Sequence, residues 1–181
     1  MTTHFYTASS LDGFIATDEH SLDWLLKQDI DQEGPMAYPA FEARIGALAM
    51  GASTYEWLLR HQGDEPWPYA QPTWVFTHRD LTVPNGADIR FASGSVARVH
   101  DEMRASAGEK DLWIVGGGEL AGQFADLGLI DEVWIQYAPV TLGSGAPLLP
   151  RELDLELLDV ARNRSFLCGH FRVVTRGGVP G

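Results

Sequence analysis

Two glycine-led segments hold the residue types best suited to chemistry. In Leu112-Trp113-Ile114-Val115-Gly116-Gly117-Gly118-Glu119-Leu120 an apolar run reads as a strand buried on both faces. The spacing of Leu120, Phe124 and Leu127 then switches to a helical period. Glycines at such a switch let the backbone turn sharply and leave the first amides of the helix bare at the positive end of its dipole. That arrangement suits a phosphate. A tight strand-to-helix turn needs the same glycines, so one such run is compatible with either role. The pattern Gly116-x-Gly118-x-x-x-Gly122 is one residue too long for the Rossmann fingerprint, which points to another nucleotide fold if a nucleotide binds.

A second unit of the same kind lies upstream. Leu48-Ala49-Met50 reads as a short strand, and Gly51-Ala52-Ser53-Thr54-Tyr55-Glu56 as the opening of a helix that Ser53 or Thr54 could cap with Glu56. The strand Thr73-Trp74-Val75-Phe76-Thr77 delivers His78 and Arg79 to its carboxyl end, where open α/β sheets bind ligands. A solvent-facing turn would look the same.

These segments need elements to position them. His4 to Ser9 reads as a strand ending in an Asp12-Gly13 turn, with a short extended return over Phe14-Ile15-Ala16. Leu22 to Leu26 suggest a helical turn, and Pro35 starts a helix with Met36, Phe41 and Ile45 on one face that Gly46 stops. Ser95 to Arg104 is amphipathic, with Val96, Val99 and Met103 inward and Gly108 closing it. Asp131 to Val140 is a long strand. Leu153 to Leu158 and Phe166 to Thr175 alternate as antiparallel strands do. Early strand-helix alternation followed by paired strands predicts one α/β domain over residues 1–181 with a mixed sheet and helices on both faces.

Composition limits the partners. The 181 residues fit a single domain, and 45 % hydrophobic residues favour a globule over disorder. A net charge of −12 opposes nucleic acid and anionic membranes. The amino terminus carries no basic, apolar export signal and no apolar run has the length of a membrane span, so a cytoplasmic protein is expected. Six scattered histidines and the single Cys168 give no metal-ligand spacing, and no nucleophile signature is present.

Five motifs stand in a shared order: Ala8 to Ala16 (ASSLDGFIA), Met50 to Glu56 (MGASTYE), Val75 to Arg79 (VFTHR), Ile114 to Leu120 (IVGGGEL) and Ala138 to Leu148 (APVTLGSGAPL). In them the chain resembles the dihydrofolate reductase-like superfamily. Its nearest likeness there is to the stand-alone relatives of the reductase domain of the riboflavin-biosynthesis deaminase-reductase. The resemblance implies a three-layer fold with a mixed central sheet of about eight strands, helices on both faces and an antiparallel C-terminal strand pair. It implies NADPH as hydride donor and a homodimer. Ala8, Ile15 and Ala16 would hold the nicotinamide. Gly51, Ala52, Ser53 and Thr54, with Val115, Gly116, Gly117, Gly118, Glu119 and Leu120, would seat the phosphates. Thr77, His78 and Arg79 would surround the ribose 2′-phosphate. The Gly116-Gly117 peptide should be cis.

Two departures from the family pattern matter. Many relatives have arginine where Ala52 stands, leaving selectivity for NADPH to His78 and Arg79. The early-helix carboxylate of true dihydrofolate reductases falls near Pro35, which disfavours folate. The resulting expectation is an NADPH-dependent reductase of a small polar, pyrimidine- or pterin-like substrate walled by Trp24, Trp67, Tyr69 and Gln136, with no residue identified as proton donor. Two alternatives are the riboflavin-pathway 5-amino-6-(5-phosphoribosylamino)uracil reductase and a protein that binds NADPH without turnover.

Overall fold

A computed structural model of the chain describes residues 1–63 and 65–174. In chain order its elements are β1 (Thr3–Ser9), β2 (Phe14–Ala16), α1 (Asp23–Leu26), α2 (Tyr38–Glu42), β3 (Ile45–Gly51), α3 (Ala52–Gln62), β4 (Thr73–Phe76), β5 (Ile89–Ala92), α4 (Val96–Ala107), β6 (Asp111–Gly116), α5 (Gly118–Asp126), β7 (Glu132–Tyr137), β8 (Ala146–Pro147), β9 (Asp154–Asn163) and β10 (Phe166–Val174). Eight strands form one sheet in the order β5-β4-β3-β6-β1-β7-β10-β9, and β2 pairs with β8 in a small second sheet. From β5 to β7 the neighbours are parallel, while β10 runs antiparallel to β7 and to β9. This is the mixed sheet with paired C-terminal strands that the sequence pattern predicts, and its eight strands are the number the resemblance implies. Thr175, expected in the last strand, lies outside the described residues.

Strand alternation sorts the core into two layers. Phe5, Ala49, Ile114 and Val133 face α4 and α5, meeting Val99, Met103, Leu120 and Phe124. Their neighbours Tyr6, Leu48, Met50 and Trp113 face the other way, onto Phe41 of α2 and Tyr55 of α3. Phe5 and Phe124 have no exposed surface, and burying a side chain of that size contributes about 2–3 kcal/mol. Both central strands, β6 and β1, are therefore apolar on both faces, as the unbroken run Leu112 to Val115 requires.

Two boundaries differ from the sequence reading. The helix expected from Pro35 to Gly46 is little more than a single turn, Tyr38–Glu42, and Ile45 and Gly46 already belong to β3. Gly46 is there for clearance, since a Cβ would stand 2.6 Å from the Ala107 carbonyl at the end of α4. In the second glycine unit Gly51 is the N-cap and the helix begins at Ala52, so Ser53 and Thr54 sit inside the first turn and do not cap it. Among the described residues no helix is long and apolar enough to cross a membrane.

Candidate active site

The site grows from the carboxyl ends of three adjacent strands, β3, β6 and β1. Their last residues, with the starts of α3 and α5, enclose a cavity of about 530 Å³. Gly51 and Gly117 are the N-caps of α3 and α5, and neither helix start carries a side-chain cap hydrogen bond. The contrast is α4, where the Ser95 hydroxyl accepts from the Arg98 amide. Uncapped first-turn amides are unsatisfied donors with a positive dipole end behind them, so two such helices opening on one cavity match a diphosphate. The residues present therefore fit a dinucleotide's diphosphate.

The glycines have separate tasks. Gly116 adopts φ 133°, a region L side chains rarely enter, and its peptide to Gly117 is cis, as the resemblance implies. Gly118 lets β8 cross the start of α5, because a Cβ would lie 2.2 Å from the Pro147 carbonyl oxygen. β8 in turn pairs with β2, which carries Ile15 and Ala16 into the same cavity.

Charge around these helix starts is controlled. Glu119, an acidic side chain in the first turn of α5, is drawn to Arg151 at 2.9 Å, and that pairing lowers its carboxyl below the usual value. Arg151 also holds Asp126 at 2.9 Å. Beyond β1, the Asp12 carboxylate accepts from the Ser10 hydroxyl at 2.6 Å, the Leu142 amide at 3.0 Å and the Gly143 amide at 2.7 Å. These bonds, the Ser10 hydroxyl foremost, push its pKa down to about 2. Asp12 is thus a clamp between the β1–β2 turn and the loop leading to β8.

Ala8, Ile15, Ala16, residues 51–54 and residues 115–120 all line this cavity, as does Tyr69. The other expected residues stand elsewhere. Arg79 is exposed and paired with Glu56 of α3 through two hydrogen bonds of 2.9 Å, while the Thr77 hydroxyl accepts from the Arg79 amide at 2.9 Å. His78 is exposed beside them on the turn after β4. Trp24 is not a substrate wall but a core residue packed with Ala138, Phe166 and Cys168. Trp67 is likewise buried, 5.4 Å from the Tyr55 ring. Gln136 does interrupt an apolar strand, but its amide donates to the Tyr6 hydroxyl and to the Met36 carbonyl. Its polarity is satisfied inside the protein, which removes it from the substrate wall.

Several lining residues carried no chemical signal in the sequence. Tyr6 lies two residues before Ala8 on β1 and so shares its face, and Trp57 lies one helical turn beyond Ser53. Those two spacings could have disclosed them. Trp113 and Leu58 are apolar positions like many others. His20 comes from a loop closed by its own amide bonding to the Thr17 carbonyl at 2.9 Å, with φ 60°.

Comparison with known proteins agrees with this geometry. A family model, the RibD C-terminal domain, matches residues 67–169. The Bacillus subtilis protein YwjB is 33% identical over 166 residues, 86% of this chain and 88% of its own. Among solved structures, a protein of Shewanella sp. PV-4 named for riboflavin biosynthesis superposes with a TM-score of 0.82 at 27% identity, over 97% of this chain and 100% of that one. A Thermotoga maritima diaminohydroxyphosphoribosylaminopyrimidine deaminase/5-amino-6-(5-phosphoribosylamino)uracil reductase shares the fold, with a TM-score of 0.63 at 17% identity. The match covers 96% of this chain and 56% of that one.

Proposed function

The chain belongs to the RibD C-terminal domain family, and from that premise we propose that it is a single-domain, cytoplasmic, NADPH-dependent reductase acting on a C=N or C=O carbon of a small ring substrate. The observation that carries the proposal is the pair of uncapped helix starts, α3 and α5, opening on one cavity beside Ala8, Ile15 and Ala16. Residues 51–54 and 117–120 would hold the diphosphate, and Ala8, Ile15 and Ala16 the nicotinamide. When bound, NADPH supplies the hydride. The chain's own part is to fix the acceptor beside the nicotinamide seat and to keep water out with Ile15 and Leu22, both on the cavity wall. Thr77, His78 and Arg79 would meet the 2′-phosphate at the open end of the sheet. A second copy of this chain is the proposed partner. The support for it is the outer strand β9 and its neighbour β10, where Leu157, Val160 and Leu167 are each more than half exposed.

Membership of the family favours a second reading, the 5-amino-6-(5-phosphoribosylamino)uracil reductase activity named for the Thermotoga protein. Both readings require the same cofactor seat. Titration with NADPH, followed by tryptophan fluorescence, tests it with Ser53→Asp. A carboxylate in the first turn of α3 stabilises the helix but repels a diphosphate. At least tenfold weaker binding, about 1.4 kcal/mol, with an undiminished melting temperature is expected. Unchanged affinity would overturn the seat. NADPH binding with no oxidation by any ring carbonyl or imine would leave a binder without turnover.

A further inference from the structure

Apart from the residues assigned to the cofactor, the cavity has a second part whose side chains are largely of one kind. Leu22, Trp57, Leu58, Tyr69 and Trp113 form its wall. The aromatic members are held in place. Trp113 Nε1 donates to the Tyr6 carbonyl at 3.0 Å, the Tyr69 ring stands edge-on to Trp113 at 5.7 Å, and His61 stacks on Trp57 at 4.0 Å. Rigid indole and phenol faces suit a flat ring.

Charge is the second observation. Among the described residues, none of those lining the cavity is a lysine or an arginine. Three arginines on neighbouring elements are committed to other partners: Arg44 to Asp111, Arg79 to Glu56, Arg151 to Glu119 and Asp126. The net charge of −12 adds a long-range field that opposes an anion. A phosphate ester against this wall would be desolvated with no lysine or arginine beside it, His20 being the one basic side chain on the cavity lining, and leucine and indole faces cannot replace its water. The helix amides that could serve a phosphate are those already assigned to the cofactor.

Resting on the reductase reading above, we infer that the substrate part of the cavity takes a flat, uncharged ring compound bearing no phosphate, with the Tyr69 hydroxyl as its hydrogen-bond donor. The Tyr6 hydroxyl is spent, donating to the Met36 carbonyl at 3.3 Å and accepting from Gln136. Burial pushes the Tyr69 phenol well above its ordinary value and the Glu42 carboxylate adds to the shift, outweighing a side-chain hydrogen bond with Tyr38 that works the other way. Tyr69 therefore stays an O–H donor across the working pH range. This substrate class departs from the phosphoribosyl-bearing one of the second reading.

The matched pair 1-naphthol and 1-naphthyl phosphate differs only in the phosphate, and calorimetric titration of each into the full chain saturated with NADP+ tests the inference. Naphthol should bind at least tenfold more tightly than the ester. Tyr69→Phe should weaken naphthol about fivefold, and Leu58→Arg should reverse the ranking by placing a cation on the wall. An ester that binds wild-type protein as tightly as naphthol, or a failure of both to bind, overturns the inference. An unchanged naphthol affinity in Tyr69→Phe overturns the role given to that hydroxyl. If NADP+ itself does not bind while naphthol keeps its preference over the ester, the reductase reading falls and the ring site stands.

Discussion

The amino and carboxyl ends of the parallel strands use polar groups in opposite ways. At the amino ends they are paired and closed. The Thr2 amide donates to Asp111 at 2.8 Å, the Thr3 amide to Asp131 at 2.7 Å, and the Thr3 hydroxyl meets His100 Nε2 at 2.9 Å. His4, with no exposed surface, lies between Asp111 and Glu132, which are themselves held by Arg44 at 3.0 Å and His170 at 2.8 Å. At the carboxyl ends the strands run out into glycines, and the helices that follow leave their first amides uncapped around a cavity. A satisfied network fixes one native arrangement, whereas unspent donors are available to a ligand. The sheet is thus anchored at one end and chemically open at the other.

Breaking the closed end should have the largest effect. The indole N–H of Trp134 donates to His4 Nδ1 at 3.2 Å, which places the ring proton on Nε2, 3.3 Å from Asp111. His4→Leu leaves both partners short of a bond in a buried site, a loss of about 2–3 kcal/mol, or about 5–10 °C in Tm, while NADPH affinity should hold. A differential scan and a fluorescence titration check both halves. The same residue sets a pH dependence. Burial lowers the His4 pKa below its ordinary 6.5 despite the pull of Asp111 and Glu132, and burial does the same to His100. The unfolded chain then binds protons that the folded chain refuses, so stability is complete above about pH 6.5 and falls as pH drops below it. Each histidine can contribute at most the ~1.4 kcal/mol per pH unit of one proton. Denaturant midpoints from pH 8 to 5 should show the decline, with a shallower slope in the variant.

Much of the contrast was legible in the sequence, and the misses have physical causes. Gly116 to Gly118 and Gly51 mark the open end because each follows an apolar strand and leads into a helix, and the mixed character of the sheet, though not its strand order, followed from where helices separate strands. Gly46 misled because a glycine that makes room for another helix looks like one that ends its own. Gln136 misled because a polar residue in an apolar strand points equally to a ligand or to an internal partner, and its partners, Tyr6 and Met36, are remote in sequence. Trp24 and Trp113 exchange roles for a similar reason. Which tryptophan borders the cavity depends on β6 lying between β3 and β1, information no local spacing carries.

At the open end, smaller changes test how far the site extends past the cavity. Arg79 is proposed to meet the 2′-phosphate, yet Glu56 already occupies its guanidinium through both nitrogens. Arg79→Ala should cost NADPH about tenfold in affinity, the scale of a charge-assisted bond, and leave NADH unchanged. Removing the competitor works in the opposite sense. An exposed ion pair is worth about 0.2–1 kcal/mol, so Glu56→Ala should improve NADPH over NADH by roughly threefold. Equal ratios in wild type and both variants would confine the dinucleotide to the cavity and exclude the turn after β4.

The smallest expected effect belongs to Asp12, which is fully exposed yet ties the turn after β1 to the loop before β8. Because its folded pKa is depressed to about 2, with the Ser10 hydroxyl the leading cause, the clamp is intact above the ordinary carboxylate range. It is lost as pH falls from about 4 toward 2. Asp12→Ala frees the amides of Leu142 and Gly143, so their hydrogen exchange should quicken while those of Leu112 and Ile114 in the central strand do not change. The β8 backbone that crosses Gly118 hangs from that loop, so a modest rise in the Kd for NADPH should accompany the faster exchange. Faster exchange with an unaltered Kd would show that α5 holds its uncapped start in place without help from the loop.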